Sequence, residues 1–399
     1  MAITVMPASA QADRIKLIYN EEVTYGTFEP AATYTELRLT SESLQKTTES
    51  VVSQEIRSDR QNVDVIRTGI GAGGDLNFEL SYATYDDYFR WVLMNSATAW
   101  PAVVVIAGPL SDIAAVAATN EFTSVAFTAM PALNTWIKVS GFTGAATTAN
   151  RIWKVLSVVA STAIRVTQLG ILVDDAAGEP VTITGGSQLV NGTTFWSHSI
   201  QKDYSDLTAP LVFERLTSLG VNTMSLNVPV GGVITGTFGL LGQTAISSAV
   251  DIDGAPTAAN TNEVMAAVED VQAIQENAAD YGSLAFTLNL NNNLRQRQEI
   301  ATLGAISVGA GSIDVTGNVQ AYFKDVAAMD RYLNFTSSNI SIVFADSAGN
   351  NYVIDIPEVL YTDGKRVAGG RNTDIIADLS WQAKRDPTEL ITMKIVKFT

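Results

Sequence analysis

The single histidine, His198, is the first residue whose type could support catalysis, because it lies between two serines in Ser197-His198-Ser199. A serine hydrolase needs a histidine that a carboxylate orients and a serine on a strained turn between a strand and a helix. The sequence contains no Gly-x-Ser-x-Gly motif that would form such a turn. We therefore interpret His198 as an ordinary strand histidine.

Paired carboxylates occur at Asp86-Asp87 and at Asp174-Asp175. Glycoside hydrolysis requires two carboxylates that face each other across a cleft, and adjacency in the sequence does not supply that geometry. Acidic residues are favoured at helix N-termini, which explains the first pair, and in turns, which explains the second. We expect neither pair to be catalytic.

The glycine-rich run at 69–74 has the composition of a phosphate-binding loop but not its pattern. A Walker loop ends in Gly-Lys-Ser/Thr, whereas Asp75 follows here, and a dinucleotide fingerprint opens a helix, whereas this run opens a strand. We interpret the run as part of a loop or a hairpin turn. Cysteine is absent and EF-hand spacing does not occur. The sequence therefore predicts no enzyme, no cofactor and no metal site.

Length and charge exclude further classes of protein. A chain of 399 residues suggests two or three domains. The net charge is −16, from 25 basic and 41 acidic residues, whereas a sequence-independent DNA binder needs a basic footprint. No apolar run reaches transmembrane length, and residues 1–12 lack the basic and long apolar regions of a signal peptide. We expect neither tight DNA binding nor a membrane association.

Most of the chain has the pattern of β-strands. Polar and apolar residues alternate, with β-branched and aromatic types enriched, at 36–40, 75–80, 223–228, 283–290 and 351–356. Bulky residues at helical spacing predict two short helices, at 86–95 and 326–333. The acidic stretch 261–279 is compatible with a third helix. The predicted fold class is therefore mainly β.

Short repeats indicate an internal duplication. Gly71-Ala72-Gly73 recurs as Gly309-Ala310-Gly311, and Asp87 and Asp325 have the same spacing of 238 positions. The segment 220–223 recurs at 370–373, which is only 150 positions later. If these matches are real rather than chance, the first copy contains 88 additional residues.

An Ala/Thr-rich segment with few charges lies where the additional residues are required. We predict that one domain, copy one, occupies 1–102 and 190–250, and that a small all-β domain, the insert, interrupts it at 103–189. An acidic linker follows at 251–280, and copy two occupies 281–399.

The most densely charged stretch is 55–61, which follows a long Ser/Thr-rich segment. One interpretation is a solvated loop whose ion pairs contribute about 0–1 kcal/mol each. The other is a contact between subunits, where complementary charges set register. Physics alone does not decide between them. The candidate contact residues are Glu55, Arg57, Asp59 and Arg60.

These residues also carry a family resemblance. Segments 37–44, 55–61 and 73–82 closely resemble the major tail tube proteins of long-tailed, non-contractile bacteriophages, and segments 317–322, 346–352, 356–359 and 368–370 resemble the same family. The resemblance implies two tail-tube β-sandwich or barrel-like domains with short flanking helices, in rings that stack into a hollow tail tube. It also implies a virion protein assembled in the host cytoplasm, with the tape measure protein and tail end proteins as partners.

Two domains per chain imply that three chains complete a pseudo-sixfold ring. We expect the insert to lie on the outer surface of the tube and to be dispensable for assembly, because it accounts for the 88 additional residues and its composition is nearly neutral. DNA would then pass through an acidic or neutral lumen without specific binding, because repulsion keeps a polyanion away from like-charged walls. The alternative is a virion fibre or adhesin built of β-sandwiches, with the insert as the binding domain.

Overall fold

A computed structural model describes residues 10–30, 32–125, 127–167, 172–204, 206–207, 213–277, 279–323, 326–367 and 370–399. The prediction of a mainly β chain is confirmed. Before the insert, the elements are β1 (Ile15–Glu21), β2 (Thr35–Glu36), β3 (Ser41–Glu42), β4 (Gln45–Val52), β5 (Val65–Glu79) and helix α1 (Asp86–Val92). The insert contains β6 (Val104–Leu110), β7 (Ala114–Val116), β8 (Glu121–Thr123), β9 (Trp136–Ser140), β10 (Ile152–Val159), β11 (Ala163–Val166) and β12 (Val181–Gly185).

Copy one continues with β13 (Ser187–Val190), β14 (His198–Tyr204), β15 (Phe213–Pro229), β16 (Thr235–Gly242) and β17 (Thr244–Ser248). The remaining elements are β18 (Val271–Glu276), β19 (Ala279–Asp280), β20 (Ser283–Asn291), β21 (Arg295–Gln298), β22 (Ala305–Gly309), β23 (Asp314–Tyr322), α2 (Ala327–Leu333), β24 (Ser338–Ala345), β25 (Asn351–Val367), β26 (Ile376–Ala383) and β27 (Lys394–Phe398). Two single 3₁₀ turns lie at Ala12–Arg14 and Thr147–Ala149. No helix in the described part of the chain is both long and apolar enough to cross a bilayer.

A continuous antiparallel sheet joins the two copies. Its strands follow the order β3 and β4, β5, β16, β15, β20, β23, β26, β25. At the junction between the copies, β15 pairs with β20, so that Leu226 lies opposite Leu288 and Ser225 lies opposite Asn289. Because side chains alternate along a strand, one face of this sheet is apolar and buried while the other is polar.

The two copies repeat the same strand pairings. In each copy the long strand, β15 or β25, pairs with the strand before it and the strand after it, and a bulge follows Val221 in one and Tyr361 in the other. This register makes positions 140 apart equivalent in β15 and β25, and positions 243 apart equivalent in β5 and β23. Gly74 and Gly317 then coincide, and a Cβ atom at either would clash with a carbonyl oxygen, that of Ser43 or of Thr287.

The glycine motifs that suggested the duplication do not mark equivalent positions. Gly71 lies inside β5, where the register makes it equivalent to Asp314 rather than to Gly309. The segment 220–223 lies within β15, whereas 370–373 follows the end of β25. Asp325, like residues 368–369, lies outside the described residues. Register depends on side-chain alternation and bulges, so three-residue matches are poor markers of it.

Residues 261–279 do not form the helix with which their sequence is compatible. Within this stretch, β18 (Val271–Glu276) pairs with β24, and residues Gln275 and Glu276 are buried there. The pairing satisfies the backbone and overrides a weak helical pattern. Part of the segment predicted as a linker therefore belongs to the sheets of copy two. The two predicted helices do form, as α1 and α2.

The insert packs against copy two even though it interrupts copy one. Its strands form a separate sheet in the order β6-β12-β9-β10-β11-β8-β7. Its buried side chains, among them Trp136, form one hydrophobic cluster with residues of copy two that would otherwise be exposed: Val343, Val353, Val396 and Phe398. The following strand, β13, leaves this sheet and pairs with β27.

A buried carboxylate stabilises the contact between the insert and copy two. Asp355 is fully buried, accepts a hydrogen bond from Trp136 Nε1 at 2.9 Å, and lies 2.9 Å from Lys154 Nζ and 3.3 Å from Lys394 Nζ. Burial opposes ionisation, but the two ammonium groups and these hydrogen bonds hold the pKa of Asp355 below its usual value. The charges are paired across the boundary of the insert.

These contacts argue against our expectation that the insert is dispensable. Removing it would expose four large apolar side chains of copy two and would leave Asp355 without Lys154 and Trp136. A buried carboxylate that loses one of its two counter-ions and a newly exposed apolar patch both favour unfolding and aggregation.

We predict that Asp355→Ala lowers the free energy of unfolding by about 3–5 kcal/mol, because Lys154 and Lys394 lose their buried counter-ion. The matched control is Arg165→Ala, which removes a more exposed ion pair with Glu121. That control should change stability by no more than about 1 kcal/mol. Denaturant unfolding of both variants measures the difference, and equal losses would contradict the role assigned to Asp355.

Candidate functional site

The one histidine lies in the core of copy one. The His198 ring stacks on Trp91 with centroids 4.3 Å apart and meets Tyr88 edge-on at 5.4 Å. Neither ring nitrogen has a hydrogen-bond partner in the described part of the chain. Burial lowers the pKa of His198 to about 3, so the imidazole is neutral at physiological pH. The residue contributes packing, in agreement with its interpretation as a strand histidine.

The paired carboxylates have structural partners. Asp86 accepts hydrogen bonds from Tyr352 and Lys397 of copy two, and Asp87 pairs with Arg90 at 3.4 Å. In the insert, Asp174 accepts a hydrogen bond from the Ala117 amide and Asp175 accepts one from the Ala146 amide. The run 69–74 does not form the loop or hairpin turn that we expected, because it lies inside β5. No cluster of three or more His, Asp or Glu side chains that could hold a metal occurs among the described residues.

The two edges of the continuous sheet are surfaces at which a strand of the described chain lacks a pairing partner on one side. In β25, residues from Leu360 onward pair with β26 on one side and with no strand on the other, within the described chain. At the opposite edge, β3 and β4 pair only with β5 among the described strands. The equivalent half of β15 is paired on both sides, with β16 and β20. The chain therefore has one filled junction and two open edges of matching type.

A long hairpin extends from one of these edges. It comprises residues 45–70, and its tip comprises residues 53–64 between β4 and β5. Every residue of β4 is exposed, and the hairpin also exposes apolar side chains: Val51, Val52, Ile56, Val63, Val65 and Ile66. An exposed apolar hairpin without a partner is typical of an interaction surface.

The four candidate contact residues all lie at the tip of this hairpin. Arg57 Nε lies 3.6 Å from Asp59 Oδ2, and Asp59 Oδ1 accepts a hydrogen bond from the Gln61 amide at 3.3 Å. The structure thus pairs Arg57 with Asp59, while Glu55 and Arg60 are exposed on the same tip. Sequence reasoning missed the apolar residues beside the charges, although the alternation of Val and Ile at 63–66 signals them.

Comparison with known protein families decides the identity of this architecture. The family described as phage tail tube protein matches residues 12–383. This chain belongs to the phage tail tube protein family. No curated protein matches it. The resemblance read from the sequence is confirmed, and this tail tube protein is a structural component of the virion tail.

The tail tube protein also has a second, shorter hairpin in copy two. It consists of β21, β22 and the six residues 299–304 between them, whereas the tip of the long hairpin has twelve residues. Between the pairing of β20 with β23 and that of β21 with β22 the register shifts by one residue, as it does after Glu49 in the long hairpin, so Leu294 is equivalent to Ser50 and Val308 to Val65. The charged tip at 55–60 has no counterpart of the same length in copy two.

The polar face of the continuous sheet consists mostly of amides and hydroxyls. Its exposed or half-buried residues are Asp75, Asn77, Glu79, Thr223, Ser225, Asn227, Thr235, Thr237, Thr287, Asn289, Asn291, Asp314, Thr316, Asn318, Gln320, Asp378, Ser380 and Gln382. Lys365 lies 3.3 Å from Asp378. Burial alone would raise the pKa of Asp378. Hydrogen bonds from Asn318 and Lys365 outweigh this effect and lower the pKa. Among the described residues of this face, acidic side chains outnumber cationic ones and no cations cluster together.

We predict that His198 makes the stability of the tail tube protein fall as the pH falls below 6.5. The unfolded histidine binds a proton near pH 6.5, whereas the folded residue does so only near pH 3. This difference costs up to about 1.4 kcal/mol per pH unit within that window. His198→Phe keeps the stacking and should remove this slope between pH 6.5 and 5, as urea titrations at several pH values would measure. Parallel pH dependence in both proteins would contradict the prediction.

Proposed function

We propose that this tail tube protein polymerises into threefold rings, and that the rings stack into the hollow tube through which the phage genome is delivered. The observation that carries the proposal is the continuous sheet with two open edges. Open edges expose unpaired backbone groups, and ring closure is the arrangement that removes them. The tape measure protein and tail end proteins are proposed partners, and assembly is proposed to take place in the host cytoplasm, on the family resemblance alone.

The junction within the chain gives the register of the proposed junction between chains. Ser225 of β15 lies opposite Asn289 of β20. The equivalent residue of β25 is Lys365, and that of the strand beside β5 is Gln45. In a ring, we therefore place Lys365 of one chain opposite Gln45 of its neighbour. Both residues are exposed in the single chain.

The number of chains per ring follows from the repeated pairings. Each chain supplies two copies of one architecture, joined side by side through β15 and β20. Head-to-tail contacts whose rotation closes produce a ring with cyclic symmetry. Three chains then supply six copies, and the ring has threefold symmetry with an approximately sixfold channel. The proposed domains are those predicted from the sequence, with β18 and β19 added to copy two.

The polar face of the sheet is proposed to line the channel. The opposite, apolar face is buried by the rest of each copy, so only the polar face is available to water. Hydroxyl and amide groups with scattered carboxylates do not release counter-ions from DNA, so the genome can slide without adhering. The insert, which covers the side of copy two away from this face, is proposed to lie on the outside of the tube.

The tip of the long hairpin is proposed to contact the next ring. Only copy one has this extension, and it carries Glu55, Arg57, Asp59 and Arg60 beyond the level reached by the short hairpin. Mixed charges at a rim favour correct register and exclude misaligned contacts. Three such tips per ring would connect neighbouring rings.

Negative-stain microscopy of the concentrated protein tests the proposal directly. We expect long hollow polymers. Discrete oligomers of fixed size would contradict it and would favour a fibre or adhesin.

We predict that Lys365→Cys combined with Gln45→Cys forms links between chains in polymers, because the two positions should lie opposite each other. The protein has no cysteine of its own, so the background is clean. Ser225→Cys with Asn289→Cys is the matched control and should link within one chain, since these residues are paired in the structure. Non-reducing electrophoresis separates the two results. If the control pair links within one chain while Lys365→Cys with Gln45→Cys forms no links between chains, the proposed register is wrong.

We predict that Arg57→Glu combined with Arg60→Glu reduces polymer formation while leaving the unfolding temperature of the single chain nearly unchanged. Both residues are exposed, so reversing them costs the isolated chain at most about 1 kcal/mol. Repulsion from acidic partners would act only in the assembly. Sedimentation and thermal unfolding measure the two effects. Unaltered polymers, or an equal loss of folding and assembly, would speak against a contact at the tip.

A further inference from the structure

The ends of the two helices are equivalent in backbone but opposite in exposure. Met94 and Phe335 each follow their helix with a positive φ, 49° and 51° respectively. Met94 is 5% exposed, whereas Phe335 is 67% exposed. Val92 is fully buried, whereas Leu333, at the same place in α2, is 65% exposed. Two large apolar side chains at the end of α2 thus lack the cover that their counterparts have.

Part of the cover at the end of α1 comes from copy two. Asn292 Nδ2 donates a hydrogen bond to the Val92 carbonyl at 2.8 Å. Leu294 and Val308 form a small hydrophobic cluster with Met94, and the Leu294 amide donates to Asn222 Oδ1 at 2.8 Å. The residues from copy two belong to the short hairpin and the turn that leads into it.

The rest of the cover is a chain segment that copy two lacks. The amides of Gly192 and Thr194 donate hydrogen bonds to the carbonyls of Leu93 and Met94. In copy two only residues 334–337 connect α2 to β24, so no such segment returns over the helix end. Within the described residues, Leu333 and Phe335 are therefore left 65% and 67% exposed.

The long hairpin offers a matching surface that is itself uncovered. The shared register makes Val65 equivalent to Val308, Ser50 to Leu294 and Thr48 to Asn292. Val65 is 60% exposed, and its neighbours Val51 and Ile66 are also exposed. Each chain therefore has an uncovered helix end in copy two and an uncovered hairpin in copy one. These two surfaces are equivalent to the end of α1 and the short hairpin, which contact each other within the chain.

We propose that Leu333 and Phe335 form a socket for the Val65 side of the long hairpin of a neighbouring copy of this chain in the same ring. The proposal rests on the proposed ring function and adds a second contact to the pairing of the sheet edges. We expect an apolar partner because the internal template is apolar: Met94 contacts Leu294 and Val308, and Val65 is equivalent to Val308. Burying these side chains would stabilise the ring through the hydrophobic effect.

Cross-linking in polymers tests the socket. In the cysteine-free chain, Val65→Cys with Phe335→Cys should give links between chains when polymers are treated with a short bismaleimide. Ser225→Cys with Asn289→Cys is the positive control and should link within single chains, because these residues lie opposite each other on the polar face. Val65→Cys with Val326→Cys is the negative control, since Val326 lies at the other end of α2 and is 52% exposed. Polymers in which only the internal control links would overturn the socket but not the ring.

A second measurement does not depend on cysteine geometry. Phe335→Glu should raise the concentration needed for polymerisation at least tenfold, while Val326→Glu should change it less than twofold. The unfolding temperature of the unpolymerised variants shows whether folding is intact, which we expect because Phe335 is exposed in the single chain. Equal effects of the two substitutions would overturn the socket. Failure of the unmodified protein to polymerise would refute the ring and the socket together.

Discussion

Backbone hydrogen bonding between β15 and β20 is the interaction on which the rest of the structure depends. This junction turns two similar domains into one continuous sheet, with one polar face and one apolar face. It also determines which of the described strands lack a partner on one side: β25 from Leu360 onward, and the edge formed by β3 and β4. A protein that leaves two complementary edges open must shield them or pair them with another copy of itself. The tail tube family implies self-assembly, and pairing with another copy is the alternative that we propose.

The insert and the hairpins can be understood from the same constraint. A channel needs its polar face clear, so additional structure has to lie on the other side of each copy. The insert packs there on copy two, where Asp355 and four apolar residues require a cover. The hairpins instead extend the sheet edge, and they differ in length, so in the proposed tube the two copies within a chain would not make identical contacts with neighbouring rings. The proposed ring would therefore have two alternating kinds of surface.

The strands, the helices and the family could be predicted from the sequence, whereas the register of the repeat and the contacts between distant segments could not. Alternation identified the strands, bulky residues at helical spacing identified both helices, and the segments around 55–61 and 73–82 identified the family. The repeat was harder, because equivalence is set by register and bulges, and Gly74 and Gly317 match only when the pairings are known. Neither the docking of the insert nor the exposure of Phe335 could be predicted, since both depend on partners distant in the chain.

The central claim is that one chain supplies two copies to a closed ring, and cryo-microscopy of the polymers tests it most directly. A reconstruction should show three chains per ring, a channel of approximately sixfold symmetry lined by the polar face, and insert density on the outside at three positions. Six chains per ring, or a polymer in which the edges of β25 and β3 remain unpaired, would contradict the account.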